Sequence, residues 1–525
     1  MPAGKIYRVP RDEEEEEYIV KYFLKLKYYY MHCNWDHIYA MCKRRINDFP
    51  RNPIFYLMRA LHSNVFYKSI DDMNTMFKVQ EALLDEITKT EFDKIDADVD
   101  NFLYNMYNEY SRYPRIEYKI LLEKVYDKCY KNFRFRGDYV INDSKKIRIG
   151  FCSQMLYKSS VGKSIMGLIM NLPKDKYEIY LYNFIRRDDL DQVHKLMIDH
   201  CHKYYHLREH SYDDARNIIL TDELDILMFC NVGDEETNTY LCHSRLAPVQ
   251  LIHAWGFGTT TASKAIDYVI IMNEEVPDCQ KNYVEKTLAM NNLSVYYYEP
   301  KINDPMGVGH LFNHSVEVPK KTRSDFNLSD DIIIYGCIQQ VFKFDILYVE
   351  TLLKIVENDR KSILLLRKDD VSHDIFIDSL CDYFGERFEK VRHRIRFVEK
   401  MDSTNYLQLM GLCDVHLDPE PFGMGISAFD GFAIEVPIVT KPSRYLRGRM
   451  VYILYKKMGI EDISCDTDEE YENKAFELAN NVDGYRDKIV ELIRENKHKI
   501  FENKDVISEY DDLFMTFKDH IQKMK

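Results

Sequence analysis

From residue 146 onward the hydrophobic pattern changes period, and this change restricts the fold more than any other feature of the chain. "KIRIGFCS" reads as a strand, "VGKSIMGLIMNL" as a helix and "YEIYLYNFI" as a strand; "LDILMFC", "APVQLIHAWG" and "IDYVII" are further apolar runs. A strand buried on both faces needs a near-continuous apolar run, and parallel pairing needs a crossover, usually a helix. After an irregular, proline-bearing stretch at 300–330 the alternation resumes. It runs "IIIYGCI", a helix over 344–356, "SILLLR", a helix over 373–388, "IRFV", a helix over 403–411 and "CDVHLD". The tail 468–525 is charged and helical. The expected fold class is α/β, with two doubly wound, Rossmann-like domains in tandem over 146–305 and 306–525, the second carrying the helical tail.

Upstream, residues 18–133 follow the helical period. "DHIYAMCKRRI" puts Ile38, Tyr39, Cys42 and Ile46 on one face, and "NDFPRNP" ends that helix. "IFYLMRALHSNVF" and the stretches 71–90, 98–111 and 115–131 continue the pattern. Residues 1–145 therefore form an all-α domain, helix pairs in the manner of a tetratricopeptide array but with no clean 34-residue repeat. It either packs on the rest of the chain or offers a peptide groove. It docks a protein or closes a homodimer.

A chain of 525 residues is too long for one compact core. Its formal charge of −14 gives no overall attraction to nucleic acid or to an anionic membrane. No run reaches the ~18–20 apolar residues of a membrane span. The N-terminal stretch lacks the apolar core of a signal peptide, so a cytoplasmic protein is expected. The twelve cysteines are scattered with no CxxC pair, several within apolar runs, and read as buried thiols. The run Glu13–Glu17 reads as a solvated helix start or frayed end.

The stretch "HLDPEPFGMGISAFDGFAIEVPIVTKPSRYLRGR" (416–449) follows a strand whose carboxyl end faces the space between the two sheets. Gly423 and Gly425 let the backbone turn tightly and approach a ligand. A helix begins near Ser427, and its free N–H groups suit an anion such as a phosphate. Asp430, a turn into that helix, is placed either to accept two ribose hydroxyls or merely to favour the helix dipole. Lys343 follows another strand end, "CIQQVFK", where it can neutralise a departing diphosphate. Arg444, Arg447 and Arg449 open the next helix and with Lys343 read as a phosphate rim.

These motifs resemble the glycosyltransferase family of O-linked N-acetylglucosamine transferase and the bacterial cytoplasmic protein N-glucosyltransferases. The family pattern Q-x-x-[FY]-K is similar to Gln339/Gln340–Phe342–Lys343. Its segments around the glycine turn, "TPIVTLP" and "LRGR" are similar to Leu417–Pro419, Phe422–Asp430, Pro437–Pro442 and Leu446–Arg449. "RLAPVQ", "TT", "IDY" and "SSVGK" extend the likeness into the first half, so that it spans roughly 146–500. The resemblance implies the two-domain GT-B fold and a UDP-sugar donor carrying glucose or N-acetylglucosamine. It also implies inversion at the anomeric carbon, no metal and no other cofactor. It places Lys343 at the donor diphosphate, Asp430 at the ribose and Tyr406 near the uracil. Gln339, Gln340, Phe422, Gly423, Gly425, Ile426, Ser427 and Arg449 complete the donor site. DxD tripeptides at 96–98, 189–191 and 466–468 lie in charged segments and do not follow a strand end.

Two family histidines are replaced, by Ser159 before "SVGK" and by Phe257 where relatives carry "GHP". A hydroxyl or amide acceptor still needs a route for its proton. Glu235, in the loop after "LDILMFC", is the first candidate base and His253 the second. Against these stand a solvated acidic cluster, "DEE", and a core histidine on an apolar strand. The expected function is transfer of a hexose or N-acetylhexosamine to a protein side chain or glycan. The alternative is an inactive UDP-sugar-binding scaffold.

Overall fold

A computed structural model describes residues 35–97, 102–113, 115–185, 190–253, 259–273, 278–311, 317–369 and 372–524. Glu13–Glu17, Phe257 and Gly258 lie outside the described residues, as do the helical readings before residue 35.

The first α/β unit is a seven-stranded parallel sheet in the order β3-β2-β1-β4-β5-β6-β7. Its strands are β1 (Ile147–Ser153), β2 (Tyr177–Asn183), β3 (Lys203–His206), β4 (Ile226–Phe229), β5 (Val249–His253), β6 (Tyr268–Met272) and β7 (Lys286–Met290). The second unit is a five-stranded parallel sheet in the order β10-β9-β8-β11-β12. It is built from β8 (Ile333–Cys337), β9 (Ser362–Arg367), β10 (Ile395–Val398), β11 (Val415–Leu417) and β12 (Ile438–Val439). The doubly wound α/β fold read from the alternation is thus the fold observed. Strands β3 and β7 had no counterpart in the apolar runs, for a physical reason. Both are edge strands, and "KYYH" and "KTLAM" are buried less than the central strands, so an unbroken apolar run is not required of them.

Each sheet reverses its winding once, between β1 and β4 in the first and between β8 and β11 in the second. At such a point the crossovers leave in opposite directions, opening a crevice at the strand carboxyl ends. The two crevices face each other across one cleft.

Three departures from the expected organisation bear on that cleft. The helix expected over 98–111 is, within its described part, only a 3₁₀ turn at Met106–Tyr110. The Asn105 side chain caps it by accepting from the Tyr107 amide at 2.9 Å and donates to the Leu61 carbonyl at 2.7 Å, which sets the segment against the end of the helix Pro53–Ala60. The helix expected over 373–388 breaks at Gly385, whose φ of +51° suits glycine. The final helix, Lys504–Gln522, does not stay with the second sheet but returns to the first. Lys518 donates to both oxygens of Asp225 at 2.8 and 2.9 Å, Tyr177 donates to Asp511 at 2.6 Å, and Phe517 stacks on Tyr268 at 5.3 Å. The boundary 306–525 therefore needs correction: residues 504–522 belong to the unit that begins at β1. Amphipathicity shows that a helix packs, not which sheet it packs on.

Candidate functional site at the domain cleft

A cavity of about 500 Å³ lies between the two crevices. Its second-domain wall follows β8 and β11. After β11, Asp418 is buried and its carboxylate shapes the turn, accepting from the Met424 amide at 2.6 Å and the Thr440 hydroxyl at 2.7 Å. Gly423 closes on this carboxylate so tightly that a Cβ there would lie 2.9 Å from Asp418 Oδ1 and 3.4 Å from the Gly448 Cα. Glycine is thus required at this approach to the Asp418 side chain and the Gly448 backbone.

The helix Ile426–Ala433 begins at Gly425 with no side-chain cap, and Gly425, Ile426 and Ser427 at its start line the cavity. Lys343 ends the 3₁₀ turn after β8. Its Nζ donates to Gln339 Oε1 at 2.9 Å and sits 5.3 Å from the centre of the Phe422 ring. Gln339 Nε2 donates in turn to the Ser427 hydroxyl at 2.9 Å, tying the β8 loop to the helix start. Loss of hydration pushes the Lys343 ammonium down to about 8, against the attraction of Asp418. One turn into the helix, Asp430 is buried and accepts from Lys163 Nζ at 3.2 Å and from the Tyr297 hydroxyl at 3.3 Å. Burial raises its carboxyl above the usual range and the Lys163 charge opposes this. Lys163 lies on the helix Ser160–Asn171 of the first unit, so the pair spans the cleft.

The first-unit wall is made by Lys158–Val161 and Lys163 after β1 and by Asp234 after β4. Ser159 caps the helix Ser160–Asn171 through the Gly162 amide at 3.0 Å. A third contribution comes from the helical region. Tyr110 enters the cleft and packs on Phe342 and Phe422, both at 4.7 Å between ring centres. Two residues on, Arg112 holds Asp345 with bonds of 2.5 and 2.9 Å, and the Ser111 carbonyl accepts from Arg447 at 2.6 Å. The segment is docked by charge and by rings, and both are orientation-specific.

The donor residues expected from the sequence gather here. Gln339, Gln340, Lys343, Tyr406, Phe422 and Gly423 line the cavity, as do Gly425, Ile426, Ser427 and Asp430. Arg449 does not line it: Nη1 donates to the Ser443 carbonyl at 2.8 Å. Arg444 is exposed, and it is Arg447 that reaches the cavity. Both candidate bases also lie off the cavity wall. The Glu235 carboxylate caps the helix Glu236–Leu241, accepting from the Thr237 and Asn238 amides at 2.6 and 2.7 Å and from Gln154. Burial pushes its carboxyl up to about 8. His253 is a core histidine whose Nε2 meets the Ser294 carbonyl at 2.9 Å, and burial lowers it to about 4. Its Nδ1 has no partner among the described residues, and the ring does not line the cavity.

Of the DxD tripeptides only 466–468 is wholly described. Asp468 starts a helix and pairs with Lys441, away from the cavity. Residues not assigned roles from the sequence but found on the wall include Tyr110, Lys163, Asp234 and Arg367. Arg367 ends the strand "SILLLR" and Lys163 ends "SSVGK", so both had a local signal. Tyr110 had none.

Two doubly wound parallel sheets facing one another across such a cleft are the GT-B fold. Within it, residues 299–509 match the family model described as Glycosyl transferase family 41. The chain is 23% identical over 342 residues to the Arabidopsis thaliana protein named as a probable UDP-N-acetylglucosamine–peptide N-acetylglucosaminyltransferase SEC, covering 64% of this chain and 33% of that one. It is 22% identical over 271 residues to the UDP-glucose:protein N-beta-glucosyltransferase of Actinobacillus pleuropneumoniae serotype 5b, covering 51% and 40%. The chain thus spans well under half the length of these curated relatives. A solved structure of a mutant O-GlcNAc transferase from Thermobaculum terrenum has the same fold, with a TM-score of 0.68 at 17% identity, covering 94% of this chain and 89% of that one.

Proposed function

We propose that the chain transfers a hexose or N-acetylhexosamine from a UDP-sugar to a protein side chain, with inversion and without a bound metal. One observation carries this reading: Lys343, the uncapped start of the helix Ile426–Ala433 and Asp430 converge on one wall of a single cavity. A UDP diphosphate seated on the helix start takes its hydrogen bonds from first-turn amides and its countercharge from Lys343. The fixed donors then meet the charge that grows on the leaving diphosphate. Asp430 accepts the ribose hydroxyls, taking them up in place of Tyr297. Tyr406 borders the uracil. The acceptor enters from the opposite wall, and a direct displacement across the cavity inverts the anomeric carbon. Both curated relatives are named for transfer to peptide or protein, which supports a protein acceptor.

The test is UDP release from a panel of UDP-sugars, with and without a peptide mixture or lysate, in the presence of EDTA. The expected result is acceptor-dependent release from one donor, abolished in Lys343→Ala and Asp430→Asn. UDP binding without release from any donor would instead identify a binding scaffold.

A further inference from the structure

Among the described residues three carboxylates line the cavity: Asp234, Glu399 and Asp430. Asp430 is held by Lys163 at 3.2 Å, and Glu399 is exposed and accepts from Lys368 at 2.7 Å. Asp234 differs from both. Among the described residues no cation pairs with it, and its partner is the Asn231 amide, 2.5 Å from Oδ1. Asn231 is itself locked at the end of β4. Its Oδ1 accepts from the Ser153 hydroxyl at 2.6 Å, and its backbone carbonyl accepts from Asn238 at 2.8 Å. Asn231 and Ser153 are fully buried. Asp234 is therefore held by a rigid amide at Oδ1 and by its own backbone N–H, and no other side chain among the described residues occupies the carboxylate. It stands at the β1/β4 switch point, on the wall opposite Lys343 and the helix start.

We propose that Asp234 is the group that takes the proton from the incoming acceptor, an inference that rests on the transferase reading above. A lone pair of the acceptor oxygen or nitrogen forms the bond to the anomeric carbon. The bond from that carbon to the diphosphate oxygen breaks, and its electron pair leaves with UDP. The proton of the acceptor O–H or N–H passes to the Asp234 carboxylate and from there to solvent. No further reactant is needed. Burial pushes the Asp234 carboxyl up to about 6, so it is ionised at neutral pH yet more basic than a surface aspartate. The groups that feel its charge are Tyr104 and Tyr110 on the helical segment and Glu235 beside it. Glu235 cannot share the task, since its two oxygens cap a helix.

The test compares Asp234→Asn, Asp234→Glu and Glu235→Gln with wild type. The readouts are UDP release from UDP-glucose and UDP-N-acetylglucosamine, UDP affinity by calorimetry, and the pH dependence of kcat/KM. Slow donor hydrolysis, in which water is the acceptor, is followed alongside a peptide mixture. Asp234→Asn is expected to lose about 100-fold or more in turnover, keep UDP affinity within about twofold and lose the acidic limb of the pH profile. Asp234→Glu is expected to restore part of the rate, and Glu235→Gln to stay within about threefold of wild type. Turnover in Asp234→Asn within about threefold of wild type, with the acidic limb intact, would overturn the proposal. So would loss of turnover in a folded Glu235→Gln protein alone. Wild type that binds no UDP would remove the transferase reading and the proposal together, whereas UDP binding and turnover that survive in Asp234→Asn remove the proposal only.

Discussion

The two walls of the cleft are built in different ways. The second-domain wall is local: from Asp418 to Asp430 a single turn supplies the tight glycine approach, the helix start and the carboxylate, and one neighbouring loop supplies Lys343. The first-unit wall is assembled from distant stretches: Lys158–Lys163 after β1, Asp234 after β4 and Tyr110 from the helical region. Even its sheet is completed by a helix from the far end of the chain, through Lys518 and Asp225. On the transferase reading proposed above, the wall that would receive a constant diphosphate is encoded in one contiguous motif, and the wall that would meet a variable acceptor is assembled from parts that can change separately.

The comparison breaks most directly at Lys343. Lys343→Met keeps the length of the side chain and removes the charge proposed to face the leaving group, so turnover is expected to fall about 100-fold or more, ~3 kcal/mol of barrier. Single-turnover measurement at saturating donor checks this. A loss confined to KM would mean that Lys343 binds substrate and transition state alike. The dependence of the first sheet on the returning helix is tested by Lys518→Met. Both partners are buried, and the substitution leaves the Asp225 carboxylate in the core with the Arg148 amide and Asn142 as donors but without a countercharge, at a cost of ~3 kcal/mol by urea unfolding. An unchanged midpoint would show the helix to be an ornament on that sheet.

Asp430→Asn should weaken UDP binding roughly tenfold by turning charge-assisted bonds to the ribose into neutral ones. Because Asp430 also holds Lys163 across the cleft, Lys163→Met separates the two tasks: it removes the cross-cleft bond and leaves the carboxylate in place. If both variants weaken UDP equally, Asp430 acts by holding the walls together and not by touching the ribose.

A pH series sharpens the same wall. Lys343 is charged below about 8 and neutral above it, and a bound diphosphate favours the charged form. UDP affinity should therefore hold up to about pH 8 and fall by up to tenfold per unit above it, and Lys343→Met should flatten the curve. The unliganded protein runs the other way. Its lysine is held below the ordinary 10.5, so the unfolded chain binds more protons between about 8 and 10.5 and this group's contribution to stability rises across that window.

The difference between the walls also decided what could be read from the sequence. The central strands β1, β4, β8 and β9 are buried and announced themselves as apolar runs. The edge strands β3 and β7 carry mixed faces and did not. The glycine turn was legible because its glycines, its helix start and Asp430 lie within a few residues of one another. Asp234 and Glu235 are neighbours in one acidic loop, and the sequence pointed to the loop but not to the residue. The backbone turns there so that Glu235 caps the following helix while Asp234 faces the cavity. Nothing near Tyr110 marks it as a cleft residue, because its partners Phe342 and Phe422 lie more than two hundred positions away.

The smallest expected effect sits at the place where the sequence pattern reached too far. "LRGR" suggested a phosphate rim ending at Arg449, but a 3₁₀ turn at Leu446–Gly448 sends Arg447 and Arg449 to different sides. Arg447 is buried, lines the cavity and donates to the helical segment at Ser111, whereas Arg449 donates to the Ser443 carbonyl and lies 4.8 Å from the Tyr452 ring centre. Arg449→Gln should therefore leave UDP affinity within about twofold and cost only ~0.5–1 kcal/mol of stability through the lost ring contact. Arg447→Gln, by contrast, loses the bond that ties the helical segment to the turn. It should lower turnover more than it lowers UDP affinity, since Tyr110 is then free to leave the cleft. A tenfold loss of UDP affinity in Arg449→Gln would move the rim back to where the motif placed it and make the donor wall wider than the single turn.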